Sequence, residues 1–538
     1  MLFNKGLALG GAMLVAAIPG QSAMLHAQSV QNNTTTAQTA QGWVRTQTAS
    51  SPVADAVEAV VEAVSDAVDT VVEAAQAVVE TVVAAVTPAP EPAPVVVAPT
   101  PVSTQPQSSV ASVPALSTSA ATQPSAGTVA APSVAQVFTV SNMTELRSAL
   151  GAAQKLAGAE IRVNPGTYGD LIWERKTYPL GQVYIVAATS TKPVFRQIVV
   201  NGSTNMSFHG LKVTGLQSGR LVMMNGSRNM SFTGGEISGF TEDNRPFDES
   251  ATGIQVRSST NIVVQDNVFR DTLKAMYIQR SNNVFVRYNR MQYLREGVQV
   301  VATAGAQLRG NHISHFFPRY DLREHPDAIQ FWTYGETVGS SKVRVLENLI
   351  SMGGQRAVQG IFANDEAKVR YSDFEVSRNV YFGSSVHGIT MIGVDGLKIS
   401  NNVVAGSPHA DVNNSIRTAS TSGGYMPQIR LRTSTGVQVW NNITMFEGVN
   451  GDAALWPQLS QYDNWDIIDN IQKKGQPWTD FFVGGRPTSE APELTAFLTR
   501  NPSATFTRNG GITSPYVHGV RNLSKNEQIA EVRSLLGF

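Results

Sequence analysis

The chain has 538 residues, a formal net charge of zero at neutral pH and no cysteine. Disulfides and thiolate metal sites are excluded, since both need cysteine. Charged residues make up only 15% of the chain, and no basic patch is interleaved with aromatic residues, so nucleic acid is not an expected partner.

Residues 1–27 have the form of a secretory signal peptide. Lys5 precedes a run of small and apolar residues, and Ala27 stands where cleavage is expected. The run is too short and too interrupted by glycine for a good membrane span, and no later segment reaches spanning length. We therefore expect a bacterial protein that is periplasmic, on the cell surface or secreted, without a transmembrane span in the mature chain. The alternative is an uncleaved N-terminal anchor.

Residues 28–134 are predicted to form a low-complexity tail. Residues 28–50 are polar and typical of disorder. In residues 52–86 the polar positions recur every three or four residues, which predicts a helix rich in Ala and Val with one acidic stripe. Such a helix would self-associate, contact the cell envelope or act as a spacer. Residues 87–134 are rich in proline and small residues, which favours a semi-rigid tether.

The folded part is predicted to start at residue 135, with a β-helix over 135–470 and an extension or cap over 471–538. Of the 41 basic and 41 acidic residues, 2 and 8 fall before residue 135, which leaves 39 and 33 in the body. A mildly cationic body suits an anionic partner. The body opens with a strand and then a helix that places Leu146, Leu150 and Leu156 on one face.

Short strands then recur every 22 to 40 residues, each pair joined at a polar pivot that is usually Asn or Gly. Examples are NMSFHGLKVTG (205–215), NIVVQDNVFRD (261–271) and LKISNNVVAG (397–406). No unit can bury both of its faces alone, but stacked units enclose a continuous apolar interior, and the pivot asparagines can form a ladder. The sequence predicts an all-β fold, a right-handed parallel β-helix or solenoid whose open end is capped by the N-terminal helix.

The opening ELRSALGAAQ…AEIRVNPGTY, with the asparagine-marked coils, resembles the pectate-lyase-like superfamily of secreted β-helix proteins over about residues 137–460. The resemblance implies the fold and a polysaccharide partner. It does not fix the activity, because that superfamily includes lyases, hydrolases, epimerases, phage tailspikes and adhesins.

Aligning the repeats on their Gly-Ile-Gln-Val core sorts outward residues into three columns. The first column is Thr252, Lys274, Glu296, Asp327, Gln359, His387 and Pro427. The second is Gln255, Tyr277, Gln299, Gln330, Phe362, Thr390 and Arg430, and the third is Arg257, Gln279, Val301, Trp332, Asn364, Ile392 and Arg432. We expect all three on one face, with successive rungs about 4.8 Å apart.

The insertion before Asp327 carries further charged and aromatic residues. These are Arg319, Tyr320, Arg323 and His325. We expect the insertion to overhang the first column and to form one wall of a groove, with Trp332, Tyr334 and Tyr320 as stacking platforms for sugars. A charged, aromatic-bordered groove along a solenoid suits an extended anionic polysaccharide.

β-Elimination on a uronate polymer needs a cation beside the C6 carboxylate, a base for the C5 proton and an acid for the leaving oxygen. The catalytic candidates are Lys274, Tyr277, Arg323, His325 and His387, with His325 or Lys274 as the base and Arg323 as the neutralising cation. The substrate-binding candidates are Glu296, Gln299, Asp327, Gln330, Trp332, Tyr320, Arg319 and Arg430. Resemblance to β-helix lyases acting on alginate and dermatan implies Ca²⁺ held by Glu296 and Asp327; the alternative is no cofactor.

Other interpretations stay open. Glu296 and Asp327 on adjacent rungs would suit a glycoside hydrolase, an epimerase shares the first half of elimination, and the long tether suits a non-catalytic adhesin. Lys274 and Glu296 could also form a plain inter-rung ion pair. The end of the chain, NEQIAEVRSLLGF, predicts a helix that starts near Ser524 and covers the last coil.

Overall fold

The computed structural model describes residues 134–239, 250–318, 326–351, 358–383, 385–406, 427–440, 442–444, 449–451, 455, 465–466 and 519–537. The signal peptide, the helix and the tether predicted before residue 134 lie outside these residues, as does most of the predicted C-terminal extension. Among the described residues, no helix has the length and apolar character that crossing a bilayer requires.

Each coil contributes three short parallel strands, which stack on their counterparts in the next coil as three strips. Strip 1 is a 12-stranded sheet. Its strands are β1 (Gln136–Val140), β2 (Ala159–Val163), β4 (Val183–Ala187), β6 (Thr204–His209), β9 (Arg228–Thr233), β12 (Thr260–Gln265), β14 (Asn282–Arg287), β16 (Ala304–Arg309), β19 (Ser341–Leu346), β22 (Tyr371–Ser377), β25 (Val394–Ser400) and β28 (Gln438–Trp440).

Strips 2 and 3 are the two sides of a 19-stranded sheet. They are joined because β13 (Val268–Gln279) and β15 (Arg290–Val301) run through both, and because β5 (Val194–Val199) pairs with one strand of each. Strip 2 also contains β7 (Lys212–Thr214), β10 (Glu236–Ser238), β17 (His312–Phe316), β20 (Leu349–Ser351), β23 (Val380–Gly383), β26 (Val403–Gly406), β29 (Ile443–Thr444) and β31 (Trp465–Asp466). Strip 3 also contains β3 (Thr167–Ile172), β5 (Val194–Val199), β8 (Ser218–Asn225), β11 (Ser250–Arg257), β18 (Asp327–Trp332), β21 (Gln359–Asn364), β24 (His387–Ile392), β27 (Gln428–Arg432) and β30 (Val449–Gly451).

The interior is the apolar core that the alternating repeats predict. Residues such as Ile254, Met276, Val298, Ile329 and Ile361 follow one another from rung to rung on strip 3 and are almost completely buried. Because each coil buries its apolar side chains against those of its neighbours, the stack forms one continuous core. The predicted parallel β-helix is confirmed.

The predicted asparagine ladder is present at the turn between strips 1 and 2. Its members are Asn267, Asn289, Asn311, Asn348, Asn379, Asn402 and Asn442, all with at most 1% of their surface exposed. Each side-chain amide from Asn267 to Asn402 donates to the Oδ1 of the next member at 2.9–3.1 Å. The same Oδ1 accepts the preceding backbone N–H, as between Asn289 and Asn311 at 3.0 Å. The ladder therefore satisfies polar groups that the coil would otherwise bury unpaired.

Helix α1 (Met143–Ala153) contacts the first three strands and caps the N-terminal coil. Its N-cap is Asn142, whose Oδ1 accepts the backbone N–H of Glu145 at 2.9 Å. Leu146 and Leu150 are buried as predicted. Leu156 lies beyond the last helical residue, where it packs against the same core.

Helix α2 (Lys525–Leu536) begins where the sequence predicts, with Ser524 and Glu527 forming a reciprocal capping box. Its predicted position was wrong. The helix does not cover the last coil but lies on the outward face of strip 1, where Ile529 packs against Tyr184 and Val532 packs against Val263. These outward apolar residues on strip 1 need a cover, and α2 supplies it.

Candidate functional site

The three predicted columns lie on the outward side of strip 3. Strand pairing places Lys274 opposite Glu296, Tyr277 opposite Gln299, and Val301 opposite Trp332. The same register continues through Gln330, Phe362, Thr390 and Arg430. The alignment made on apolar positions is therefore confirmed, with one correction. His387 pairs with Gln428 rather than Pro427, because the register shifts between His387 and Ile389.

Lys274, Glu296 and two amides form a continuous row of contacts across three rungs. Lys274 Nζ lies 2.8 Å from Glu296 Oε2, with 21% and 13% of the two side chains exposed. The Nε2 of Gln299 donates to the same Glu296 oxygen at 2.6 Å and to Gln330 Oε1 at 2.7 Å. The ion pair is half-buried and held by neighbours, so the two charges keep a defined position.

Asp327 continues the column on the next rung. The offset of 31 residues that pairs Val298 with Ile329 places Asp327 beside Glu296, and its own partner on the following rung is Gln359. Only 2% of Asp327 is exposed. We expected an outward groove residue; instead the carboxylate lies beneath the surface at the start of β18.

Two aromatic side chains border this row. The rings of Tyr277 and Trp332 lie 6.4 Å apart in a tilted arrangement. Burial raises the pKa of the Tyr277 phenol, so this group is a proton donor rather than an acceptor at neutral pH. Trp332 is partly exposed, and 79% of Tyr334, at the turn that follows, is exposed.

His387 belongs to a second cluster farther along strip 3. Its Nδ1 lies 3.0 Å from Thr390 Oγ1, and its ring meets Phe362 edge-on at 5.3 Å. Four strand steps separate His387 from Lys274, about 19 Å at the usual strand spacing. The prediction that both act in one catalytic set was therefore wrong, because shared columns do not imply proximity along the axis.

Arg319, Tyr320, Arg323 and His325 lie outside the described residues, and their predicted roles stay predictions. Calcium also stays a prediction for Glu296 and Asp327. The described residues do not by themselves fit such a site, because Lys274 already balances the charge of Glu296 and shares its Oε2 with Gln299. Calcium takes six to eight oxygen ligands, and the described part of the chain contains no cluster of three or more His, Asp or Glu side chains placed to hold an ion.

Sequence reasoning missed a polar cluster beside the columns. The buried carboxylate of Glu336 accepts from Gln279 Nε2 at 2.6 Å and from Arg280 Nε at 2.8 Å. Arg280 and Glu336 also line a cavity of about 330 Å³. The sequence feature that could have indicated this cluster is the length of the turn between β18 and β19. That turn is longer than the turn after Val301, so it can fold back over the strip.

A family model, described as a right handed beta helix region, matches residues 195–317 and 222–404. The domain is a right-handed β-helix. No protein of curated function matches the chain.

Among solved structures, the β-helix is similar to the mannuronan C-5 epimerase A-module of Azotobacter vinelandii, at 15% identity and a TM-score of 0.39, covering 60% of this chain and 91% of that one. It is also similar to an alginate lyase of Paenibacillus sp., at 10% identity and 0.33, with 59% and 97% covered. A surface adhesin of Streptococcus pneumoniae matches at 13% identity and 0.34, with 58% and 89% covered. At these identities the likeness concerns the fold alone.

Proposed function

We propose that this β-helix is an exported enzyme that cleaves an anionic, uronate-containing polysaccharide by β-elimination along strip 3. The observation that carries the proposal is the half-buried Lys274–Glu296 ion pair, which lies in a row of amides and beside Tyr277 and Trp332. This arrangement offers a fixed positive charge, a proton donor and a flat surface for sugar within one stretch of the strip.

In the proposed reaction a base removes the C5 proton, and the electrons of that bond form the C4–C5 double bond. The C4–O bond then breaks, and the leaving oxygen takes up a proton. Lys274 stabilises the negative charge that develops on the C6 carboxylate, since a cation held in position beside a developing negative charge lowers the energy of the transition state. This role differs from the base that the sequence suggests. Tyr277 donates the proton to the leaving oxygen, and His325 is the proposed base.

Export through residues 1–27 is part of the same proposal, with the protein in the periplasm, on the surface or in the medium. An extracellular or periplasmic location suits an enzyme that acts on a large polymer.

The test is to incubate the full-length protein with polygalacturonate, alginate and dermatan sulfate, and to measure both ultraviolet absorbance and new reducing ends. Elimination gives both signals. Each cleavage leaves an unsaturated uronate, which absorbs, at the end of one fragment and a new reducing end on the other fragment. Lys274→Met should lower the rate about 100-fold or more, whereas Lys398→Met, an exposed lysine on strip 1, should leave it unchanged. Reducing ends without absorbance, or no reaction on any uronate polymer, would overturn the proposal.

Glycoside hydrolysis is the second candidate, and it is favoured by one observation. Glu296 and Asp327 lie on adjacent rungs. The usual strand spacing of about 4.8 Å is close to the ~5–5.5 Å that separates the two carboxyl groups of a retaining glycosidase. If the protein is a hydrolase, Glu296→Gln should abolish the formation of new reducing ends. Deuterium uptake at C5 without chain breakage would instead indicate an epimerase.

A further inference from the structure

We infer, on the basis of the proposed function, that strip 3 binds about six consecutive anionic sugar residues. Arginines at both ends of the bound segment contact its carboxylates. Arg220 and Arg257 form one end, and Arg430 forms the other. The chemical class of the ligand is therefore a polyanionic chain with a carboxylate on its terminal bound residues, and not an isolated uronate or a neutral polymer.

The first end lies beside the Lys274 pair. Arg220 pairs with Thr252, which pairs with Lys274 in the first column. Arg220 is exposed, and its Nε donates to the uncharged Gln255 at 2.8 Å. Arg257 is exposed one rung closer to Lys274 and makes no ion pair with any described residue. Burial raises the pKa of the Tyr277 phenol, and the positive charges of Arg257 and Arg220 partly offset that rise.

The second end is Arg430 on β27, which stands opposite Thr390. The side chain is only partly exposed and has no carboxylate partner among the described residues. Burial, together with the neighbouring Arg432, lowers the pKa of Arg430. A guanidinium cannot shed its proton in a protein, so a partly buried arginine without an acid is best satisfied by an anion from outside.

Three acidic groups between the two ends are engaged by donors. Glu296 is held by Lys274, and Glu336 is held by Arg280. The Oε2 of Glu366 accepts the backbone N–H of Thr333 at 2.9 Å. A polyanion lying on strip 3 would thus meet these three engaged carboxylates in the middle and, at its ends, arginines that have no carboxylate partner among the described residues.

The spacing sets the length of the ligand. Six strand steps separate β11 from β27, about 29 Å, which is about six sugar residues at roughly one residue per rung. Lys274 lies one step from Arg257 and five steps from Arg430. A bond broken beside Lys274 would therefore divide a bound hexamer unequally, with the shorter piece on the side of Arg257.

Calorimetric titration with oligouronates from dimer to octamer tests the inference. The full chain carrying Lys274→Met is used so that ligands are not consumed. Affinity should rise steeply between tetramer and hexamer and then level off. Arg430→Gln, or Arg220→Gln with Arg257→Gln, should remove that gain and weaken hexamer binding by about tenfold to a hundredfold. Arg228→Gln, an exposed arginine on strip 1, is the matched control.

Equal affinity for dimer and hexamer, or an Arg430→Gln protein that binds the hexamer as well as its parent, would overturn the inference. The two proposals fail separately. If binding depends on ligand length but the unsubstituted protein does not cleave the polymer, the proposed lyase activity is rejected and the proposed arginine binding at both ends is kept. If the protein cleaves the polymer but its affinity depends neither on ligand length nor on the arginines, the proposed arginine binding at both ends is rejected and the lyase activity is kept.

Discussion

The asparagine ladder and the outward side of strip 3 are both columns of side chains stacked at one rung per step, yet they differ in content. In the ladder every rung from Asn267 to Asn442 repeats the same residue with the same hydrogen bonds. On strip 3 the first column changes at almost every rung, from Lys274 to Glu296 to Asp327.

This difference separates scaffold from site. A buried position has one way to satisfy its backbone neighbours, so repetition there satisfies the same need at every rung. An outward position is free of that demand and can carry a different chemical group on each coil. We therefore expect substitutions in the ladder to change the free energy of unfolding, and substitutions on strip 3 to change binding and rate.

The largest expected effect on stability is in the ladder. Asn311→Ala removes four hydrogen bonds at once: two that its amide donates to Val286 O and Asn348 Oδ1, and two that its Oδ1 accepts from Asn289. Since the partners stay buried without replacements, we expect a loss of about 4 kcal/mol. Urea denaturation followed by circular dichroism measures it.

Asn282→Ala is the control, because that asparagine is exposed at the start of β14. It should change the unfolding free energy by less than about 0.5 kcal/mol. A ladder variant as stable as this control would break the distinction between the two columns.

The next effect concerns a third kind of surface, the closed outer face of strip 1 beneath α2. Arg521 donates to Asp266 Oδ2 at 2.7 Å and to Glu531 Oε2 at 2.6 Å, and the Asp266 side chain is fully buried. Arg521→Met leaves that carboxylate without its cation, so we expect a loss of about 3 kcal/mol. Denaturation curves measure this.

Adding Asp266→Asn to Arg521→Met should restore part of that loss, because the buried charge is then gone. If the double variant were less stable than Arg521→Met, the buried ion pair would not be the reason. Faster proteolysis near α2 in Arg521→Met would place the effect at the helix.

The fold was predictable because its information is local and repeated. Alternating apolar residues and pivot asparagines recur in every coil, so each rung restates the same pattern. The docking of α2 was not predictable in this way, since its partners lie more than 250 residues earlier in the chain. One signal was present: Ile262, Val263 and Val264 are consecutive apolar residues, all buried, and such a run indicates a strand covered on both faces.

The site was predictable in its columns but not in its distances. Aligning strands fixed which residues share a column, and the contact between Lys274 and Glu296 follows from adjacency. The separation of His387 depends on how many rungs lie between, and the burial of Asp327 depends on how the chain packs around β18. Neither can be obtained from the repeat pattern, because both depend on tertiary contacts.

A comparable effect should appear as a pH dependence on the closed face. Burial, with help from Lys525 and Lys192, lowers the pKa of His209 from 6.5 to about 4. The folded protein therefore keeps this ring neutral while the unfolded chain takes up a proton, so stability is full above pH 6.5 and is lost as the pH falls toward 4. We expect about 3 kcal/mol to be lost across this window, and His209→Gln to remove that part of the pH dependence of urea denaturation.

The smallest effect on stability should come from strip 3 itself. Gln330→Ala removes one hydrogen bond, from Gln299 at 2.7 Å, at a partly exposed position where water can replace it. We expect a change below about 1 kcal/mol together with weaker binding of uronate oligomers, because the amide row positions Glu296 and through it Lys274. Measuring the unfolding free energy and the affinity on the same preparation sharpens the comparison. A variant that lost stability without losing affinity would place Gln330 with the ladder residues, as part of the scaffold.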